Sequence, residues 1–183
     1  AVDNATGCSI VLEVAQAVAS KPLPRPVVFI LFAAEEVGHY GSLHFVNEGP
    51  LCPDRIMGHI NIDHAGRDNP MFDDILVAGL KRIDPRLDRI VRLANTRAKT
   101  VLHFDENMPE NNYSGSDHYS FDQAGIPSIV YGTGLFEDYH TPNDDYEKVE
   151  FKYTFDIAKL TYETLVELGN IKQPLSSGKV LDK

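Results

Sequence analysis

The chain has 183 residues, of which 43% are hydrophobic and 24% are charged, a composition typical of one globular domain. Its 17 basic and 27 acidic residues give a formal net charge of −10, which argues against nucleic-acid binding because nucleic-acid-binding proteins present a basic face. The longest apolar run, Val27 to Ala34, is far shorter than a bilayer span requires. Cys8 and Cys52 are too few for a disulfide framework or a zinc knuckle.

The first half of the chain alternates predicted helices with predicted strands. Apolar residues at near-helical spacing predict a helix over Ser9–Ser20, and the apolar run Val27–Phe32, bounded by proline, predicts a strand buried on both faces. A second helix is predicted from Glu36 to about Asn47. Alternating apolar residues predict a strand over Ile56–Asp63, and another strand is predicted over Ile75–Ala78.

The second half continues the same alternation after a polar segment. An amphipathic pattern predicts a helix over Leu87–Ala98, whereas Val101–Ser120 is polar and irregular. A short helix is predicted over Ser116–Ala124, with its first residue as the N-cap. Ile126–Tyr131 is predicted as a buried strand and Phe151–Leu168 as a long amphipathic helix.

Buried strands that alternate with helices predict an α/β fold. We expect a three-layer α/β/α sandwich with a mostly parallel mixed sheet. Since no repeat or low-complexity linker divides the chain, we expect residues 1–173 to form a single domain and residues 174–183 a flexible tail.

Acidic residues and a histidine follow the predicted strands. In an open α/β sheet, ligands bind beyond the carboxyl ends of the strands. Glu35 and Glu36 follow the first strand, Asp63 ends the second, His140 lies in the loop after the last, and Asp3 precedes the first helix. Carboxylates gathered at one edge repel one another unless a cation compensates their charge, and Asp, Glu and His are ligands that zinc and similar divalent metals accept.

Each of these residues also has a simpler interpretation. Glu35 and Glu36 would suit the first turn of a helix, Asp63 could cap a turn, and an isolated histidine such as His140 is more often structural. Their shared position at one predicted sheet edge favours a common site.

Several segments resemble, in the same order, motifs of the M28 zinc aminopeptidases, whose fold is of the zinc-peptidase, phosphorylase/hydrolase-like type. They are Asp3–Gly7 (DNATG), Phe32–Gly38 (FAAEEVG) with Gly41 and Ser42 behind it, Asn61–Asp63 (NID), Ser116–His118 (SDH) and Gly134–Asp144 (GLFEDYHTPND).

The resemblance implies a site with two Zn²⁺ ions. Asp3 matches the bridging carboxylate, Glu36 and His140 match the other ligands of one zinc, and Asp63 matches a ligand of the second zinc. Glu35 matches the general base that takes a proton from the zinc-activated water. The implied activity is that of an aminopeptidase.

The resemblance also assigns supporting roles. Tyr113 matches a position whose phenol stabilises the tetrahedral intermediate, with a loop aromatic covering the site as an equal alternative. Asp117 and His118 match residues that orient the ligands, or they form the first turn of a helix. Asp144 is expected to hold the ring of His140, unless it lies in a solvated turn.

The sequence departs from the family at its start. Family members carry a His-x-Asp motif well upstream of the bridging carboxylate, whereas this chain begins two residues before Asp3. We therefore expect a fragment, or the ordered part, of a longer enzyme, whose second metal keeps only Asp3 and Asp63 and binds weakly. His64 is a conceivable substitute ligand, but on a strand its side chain should point away from Asp63.

Parts of the same pattern also fit other functions. Glutaminyl cyclases, which are acyltransferases, share the fold and a single-zinc site of Asp, Glu and His, so the metal count distinguishes them from peptidases. The Glu-x-x-His spacings at Glu36–His39 and Glu137–His140 occur in di-iron bundles, but the second lies in a loop rich in Gly and Pro. A homologue without activity, or a catalytically impaired fragment, is the last alternative, which the retained ligands and Glu35 weaken.

The sequence thus predicts a zinc-dependent exopeptidase for peptides with a free N-terminus, whose positive amino group suits a site lined by carboxylates. No nucleic-acid partner and no membrane span are expected. Family habit and the acidic composition predict a secreted or periplasmic location.

Overall fold

The computed structural model describes residues 1–69, 74–79, 84–105 and 113–175. Most of the predicted tail therefore lies outside the described residues. Leu175 is buried against the main core, so the packed domain extends at least to that residue. Within the described part, no helix is both long enough and apolar enough to cross a membrane.

Helices and strands alternate along the described chain. The helices are α1 (Gly7–Ser20), α2 (Tyr40–Glu48), α3 (Arg86–Ala98), α4 (His118–Gln123) and α5 (Phe151–Asn170). The strands are β1 (His59–Ile62), β2 (Ile75–Ala78), β3 (Leu102–Phe104) and β4 (Ser128–Gly132). Short 3₁₀ turns at Pro53–Arg55 and Tyr146–Lys148 precede β1 and α5.

Among the described residues, the strands form one mixed sheet in the order β1-β4-β2-β3. β1 pairs with β4 in parallel, as does β2 with β3, whereas β2 and β4 are antiparallel. The carboxyl ends of β1 and β4 therefore meet at one edge of the sheet, which is where the candidate site lies.

Helices cover both faces of this sheet. α5 packs against α1 and α3, and their apolar residues share the main core with Ile62 of β1 and Tyr131 of β4. On the other face α4 contacts β1, β4 and α2 around a smaller core that contains Phe121. Ile60 and Ile62 of β1 face the main core, whereas His59 stacks on Phe121 of the smaller core. The strand therefore lies between two helical layers, and the α/β sandwich is confirmed.

The strand predicted over Val27–Phe32 is wrong for this structure. The segment forms no strand in the described sheet. Phe29 and Phe32 pack against the two cores, while Val28 is 57% and Leu31 52% exposed. The apolar run is thus buried on one side only. Conversely, β3 forms within the region predicted to be irregular, because its three residues pair with β2.

Candidate metal centre

Three predicted ligands lie together at the carboxyl end of β1. This group, the His140 cluster, consists of Asp3, Glu36 and His140. The Nε2 atom of His140 lies 3.2 Å from Asp3 Oδ2 and 3.0 Å from Glu36 Oε2. Ligand atoms around a tetrahedral zinc are about 3.3 Å apart, so the donors match this metal in type and in spacing.

The turn that carries Asp3 is fixed to the end of β1. Asn4 Nδ2 donates to the carbonyl oxygen of Ile62 at 2.9 Å, and the Gly7 N–H donates to Asn4 Oδ1 at 3.2 Å. A Cβ on Gly7 would lie 2.2 Å from Asn4 Oδ1, so only glycine allows this close approach. Asp3 is thereby held beside the sheet at the start of α1.

Asp144 anchors the same turn instead of the imidazole that it was predicted to hold. Its carboxylate accepts hydrogen bonds from the N–H groups of Val2 at 3.0 Å and Asp3 at 3.1 Å. The prediction that it orients the ring of His140 is wrong here, because the loop after His140 turns back onto the N-terminal segment. Asp144 therefore supports the turn of Asp3 rather than the histidine.

Glu35 and Glu36 point in different directions because the backbone turns sharply around them. Ala34 has a left-handed backbone with φ of 60°, and the Gly41 N–H donates to the carbonyl oxygen of Ala33 at 3.1 Å to close the turn. Glu36 faces His140, whereas Glu35 Oε1 lies 3.3 Å from His39 Nε2. This separation comes from the turn, since no strand precedes it.

The carboxyl group of Glu35 is half-buried among other acids. Burial, followed by the charges of Asp63, Glu36, Asp117 and Asp3, raises the pKa of Glu35 to about 7. A carboxyl group with such a pKa can accept and return a proton near neutral pH.

Sequence reasoning missed this role of His39, which falls inside the helix predicted from Glu36 to about Asn47. α2 begins one residue later, and a left-handed backbone at His39, with φ of 54°, lets its ring approach Glu35. The spacing of four residues between these two side chains is the only sequence signal for the contact.

Asp63 is buried and held by a relay of hydrogen bonds. Ser116 Oγ donates to Asp63 Oδ2 at 2.7 Å and accepts from Asn61 Nδ2 at 2.8 Å. Ser116 was predicted as an N-cap, which is wrong because α4 begins at His118 and the Ser116 hydroxyl turns toward Asp63. The serine of this motif therefore orients a candidate ligand.

The direction predicted for His64 is also wrong. β1 ends at Ile62, and His64 has a left-handed backbone with φ of 49°, so strand alternation no longer governs its side chain. Its Nε2 atom lies 3.7 Å from Asp63 Oδ1 and 3.8 Å from Asp3 Oδ1.

Tyr139 contacts both histidines, although the sequence analysis gave it no role within the GLFEDYHTPND segment. Its ring stacks on His140, with centroids 3.7 Å apart, and meets His64 edge-on at 4.8 Å. Burial, together with the charges of Asp3, Glu36 and other nearby acids, raises the pKa of Tyr139 to about 12. The phenol therefore stays protonated and can donate a hydrogen bond at this edge.

Asp117 lies close to the candidate base, whereas its neighbour in the SDH motif does not. Asp117 is buried, and its charge contributes to the raised pKa of Glu35. Its own pKa is raised mainly by burial. The adjacent His118 instead meets Tyr113 inside the protein, with ring centroids 4.5 Å apart.

The structure does not bring Tyr113 and His118 to the His140 cluster. A Cβ on Gly79 would lie 3.0 Å from the Tyr113 hydroxyl and 2.6 Å from the carbonyl oxygen of Ser128, so this phenol lies at the start of β4. The N–H of Asp63 donates to Tyr131, near the other end of β4, and a five-residue strand is about 13 Å long. In this structure both residues pack in the interior. The alternative prediction for His118, that it lies in the first turn of a helix, is confirmed because α4 begins at this residue.

The fold and this site together define a class of protein: an α/β sandwich with a carboxylate and histidine metal centre at the carboxyl ends of parallel strands. The chain belongs to Peptidase family M28, whose sequence profile matches residues 1–165.

Relatives and solved structures agree with this assignment. The chain is 30% identical to Aminopeptidase YwaD of Bacillus subtilis over 156 residues, which cover 80% of this chain and 33% of that protein. It is similar to BSAP, a zinc aminopeptidase from Bacillus subtilis, with a TM-score of 0.76, 26% identity, and coverage of 90% of this chain and 41% of that one.

The fold is shared with an enzyme of different chemistry. The structure of Bacteroides thetaiotaomicron glutaminyl cyclase matches with a TM-score of 0.66 and 19% identity, covering 93% of this chain and 63% of that one. The chain spans a third to a half of the length of the curated relatives it matches.

Proposed function

We propose that the chain carries the metal centre of a zinc aminopeptidase, which hydrolyses the first peptide bond of substrates with a free amino terminus. The observation that carries the proposal is the His140 cluster with Glu35 beside it. Family membership and relatives that are named aminopeptidase and zinc aminopeptidase support the same function.

Asp3, Glu36 and His140 would hold the zinc ion. When bound, zinc supplies Lewis-acid chemistry, which polarises a carbonyl group and lowers the pKa of a water molecule. Asp144 fixes the turn of Asp3 through the backbone N–H groups, so the carboxylate keeps its place when the metal is exchanged.

Glu35 is the proposed general base. Its carboxylate takes a proton from the attacking water as the new C–O bond forms at the scissile carbonyl carbon. The same group then returns the proton to the amine nitrogen as the C–N bond breaks. The ionised, proton-accepting form of Glu35 is favoured when a cation is bound nearby.

Two further features suit an aminopeptidase. The phenol of Tyr139, fixed against His140, is a donor for the oxyanion that develops during attack, a role first predicted for Tyr113. The acidic side chains at this edge attract the ammonium group of a free amino terminus.

Hydrolysis of leucine p-nitroanilide tests the proposal. We expect the chain, freed of metal by a chelator and then reloaded with zinc, to cleave this substrate but not its N-acetylated form. His140→Ala should lose both zinc and activity, whereas His44→Ala, an exposed histidine on α2, should keep both. Zinc bound equally by the chain and by His140→Ala would refute the proposal.

A glutaminyl-cyclase activity is the second candidate, because the His140 cluster supplies one complete three-residue site and the fold occurs in such an enzyme. A peptide that begins with glutamine separates the two reactions. An aminopeptidase releases glutamine with uptake of water, whereas a cyclase releases ammonia and leaves a pyroglutamyl peptide. Formation of the pyroglutamyl peptide without cleavage would favour the cyclase.

A further inference from the structure

A histidine that the proposed metal site does not use lies beside Glu35. Nε2 of His39 is 3.3 Å from Glu35 Oε1, and the two side chains are 19% and 26% exposed. A second pair with the same spacing of four residues, His44 and Glu48, is 3.9 Å apart, and its side chains are 70% and 74% exposed. Solvent screens the second pair, so the partly buried contact of His39 with Glu35 is the stronger of the two.

The backbone places the ring of His39 beside Glu35. The N–H of His39 donates to the carbonyl oxygen of Glu35 at 2.9 Å. Its own carbonyl oxygen accepts from the N–H of Leu43 at 2.9 Å and from Ser42 Oγ at 3.1 Å. His39 nevertheless has a left-handed backbone, with φ of 54°. Residues other than glycine adopt this backbone at an energetic cost, and they concentrate where a side chain has a function.

A second acid lies near the same ring. Asp117 is 8% exposed, and its Oδ1 atom has no hydrogen-bond partner within the part of the chain that the structure describes. Burial raises the pKa of Asp117, while the Ser42 hydroxyl and the charge of a protonated His39 act in the opposite direction. The imidazole therefore interacts with two acids, with Glu35 by direct contact and with Asp117 through its charge.

Glu35 and Glu36 must point apart for the proposed reaction. Glu36 contacts His140, with its Oε1 atom 3.1 Å from Nε2 of that ring. If Glu35 turned the same way, its carboxylate would bind the cation instead of accepting a proton from water. A donor on another side of Glu35 prevents this, and Nε2 of His39 lies where such a donor is required.

We propose that His39 is a positioning residue, whose Nε2–H group donates to the carboxylate of Glu35 and holds it apart from Glu36. The inference rests on the proposed function, because it takes Glu35 as the base. His39 lies between the FAAEEVG segment and Gly41, outside every motif that carries the family resemblance. The role therefore belongs to this chain's own sequence.

Nuclear magnetic resonance of the metal-free, ¹⁵N-labelled chain tests the contact without zinc or activity. In a long-range ¹H–¹⁵N spectrum we expect the neutral ring of His39 to carry its proton on Nε2, and Glu35→Ala to shift the ring signals. Glu48→Ala, which removes the exposed partner of His44, is the matched control and should leave them unchanged. The spectrum of His39→Gln assigns the signals, because they are missing there. A proton on Nδ1, or equal shifts in the two alanine variants, would overturn the proposal.

Steady-state kinetics of the zinc-loaded chain on leucine p-nitroanilide tests the consequence for the reaction. His39→Leu removes the donor and should lower kcat about 10–100-fold with KM changed less than about threefold, because the substrate still binds while the base is misplaced. His39→Gln supplies an amide N–H at a similar distance from the backbone and should restore kcat to within about fivefold of the original chain. His44→Leu, at an exposed histidine of α2, is the matched control and should leave both constants unchanged.

The outcomes distinguish this inference from the proposed function. Elemental analysis and far-ultraviolet circular dichroism show whether each variant is loaded with zinc and folded; should His39→Leu fail to fold, the spectra of the alanine variants decide. Equal losses of kcat in His39→Gln and His39→Leu would make the role structural and overturn it, as would a kcat of His39→Leu within about threefold of the original. Both results leave the proposed function intact. A zinc-loaded original chain that does not hydrolyse the substrate would instead refute the proposed function, and the positioning role with it.

Discussion

The two ends of β1 and β4 use histidine in opposite environments. At the carboxyl ends, His64 and His140 face the carboxylate of Asp3. At the amino end, His59 stacks on Phe121 with ring centroids 3.7 Å apart, and burial followed by the charge of His118 lowers its pKa to about 3. A histidine's surroundings, rather than its place next to a strand, therefore decide whether it can serve as a ligand.

The backbone differs between the two ends as well. His64 and His140 have left-handed φ values of 49° and 56°, whereas His59 lies within the regular strand β1. Left-handed backbone at residues other than glycine costs energy and concentrates at functional sites. The carboxyl end is therefore built from constrained loops, and the amino end from ordinary core packing.

The largest expected effect belongs to Glu35 at the carboxyl end. Glu35→Gln keeps the size of the side chain but removes its ability to accept a proton, so we expect the turnover rate to fall about 10²–10⁴-fold while zinc content stays unchanged. Steady-state kinetics and elemental analysis measure both. Glu48→Gln, an exposed glutamate on α2, is the control. A turnover rate within tenfold of the original would exclude Glu35 as the base.

Replacing Gly132 measures how tightly the backbone is packed at the carboxyl ends of β1 and β4. A Cβ at this position would lie 2.1 Å from the carbonyl oxygen of Asp63, so Gly132→Ala should displace the backbone of a candidate ligand. We expect the free energy of unfolding to fall by about 3 kcal/mol and zinc affinity to fall with it. Gly58→Ala, whose nearest atom would be 3.6 Å away, is the matched control in urea titrations. Equal stability of the two variants would contradict the close packing.

His59, at the amino end of β1, should make stability depend on pH. Its pKa of about 3 in the folded chain lies below its ordinary value of 6.5, so the unfolded chain binds the proton first as the pH falls. Stability is complete above pH 6.5 and is lost progressively toward pH 3. From pH 7 to pH 5 this residue should cost the metal-free chain about 2 kcal/mol.

The measurement compares urea unfolding of the original chain and His59→Gln at both pH values. The stability difference between the two proteins should change by that amount, because glutamine does not titrate. The same pair of experiments on His44→Gln, whose side chain is 70% exposed, should show no such change. A difference independent of pH would show that the pKa of His59 is the same in the folded and the unfolded chain.

The smallest expected effect lies in the loop that carries His140. Asp138 Oδ2 accepts from Arg67 Nη1 at 2.5 Å and from Lys148 Nζ at 2.9 Å, which ties the loop to two other parts of the chain. Asp138→Asn should weaken zinc binding a few-fold, less than the roughly 10–100-fold effect of direct partners of ligands. Zinc titration checks this against Asp156→Asn, an acid paired with Lys159 on α5. A loss above 100-fold would mean that this pairing orients His140 directly.

The elements predicted most accurately from the sequence are those whose position depends only on a local pattern of apolar residues. The helices at α1, α3 and α5 and the strands β2 and β4 follow from local periodicity, and their predicted positions agree with the structure to within a few residues. Val27–Phe32 failed because a run of apolar residues does not reveal whether a partner strand covers its second side. Pairing between distant segments decided that question.

The candidate site likewise has some features that the sequence predicts and others that depend on tertiary contacts. The sequence by itself determined that Asp63 and His140 follow strands whose carboxyl ends meet at one edge, because strand direction fixes where those ends lie. Asp3 precedes α1 and Glu36 follows a segment that is not a strand here, so tertiary contacts decided their places at the same edge. Tertiary structure alone decided which way the loop side chains point. It turned His64 toward Asp3, directed Ser116 to Asp63 and left Tyr113 in the interior. Side-chain direction in a loop depends on backbone torsions that distant contacts impose, and no local periodicity records them.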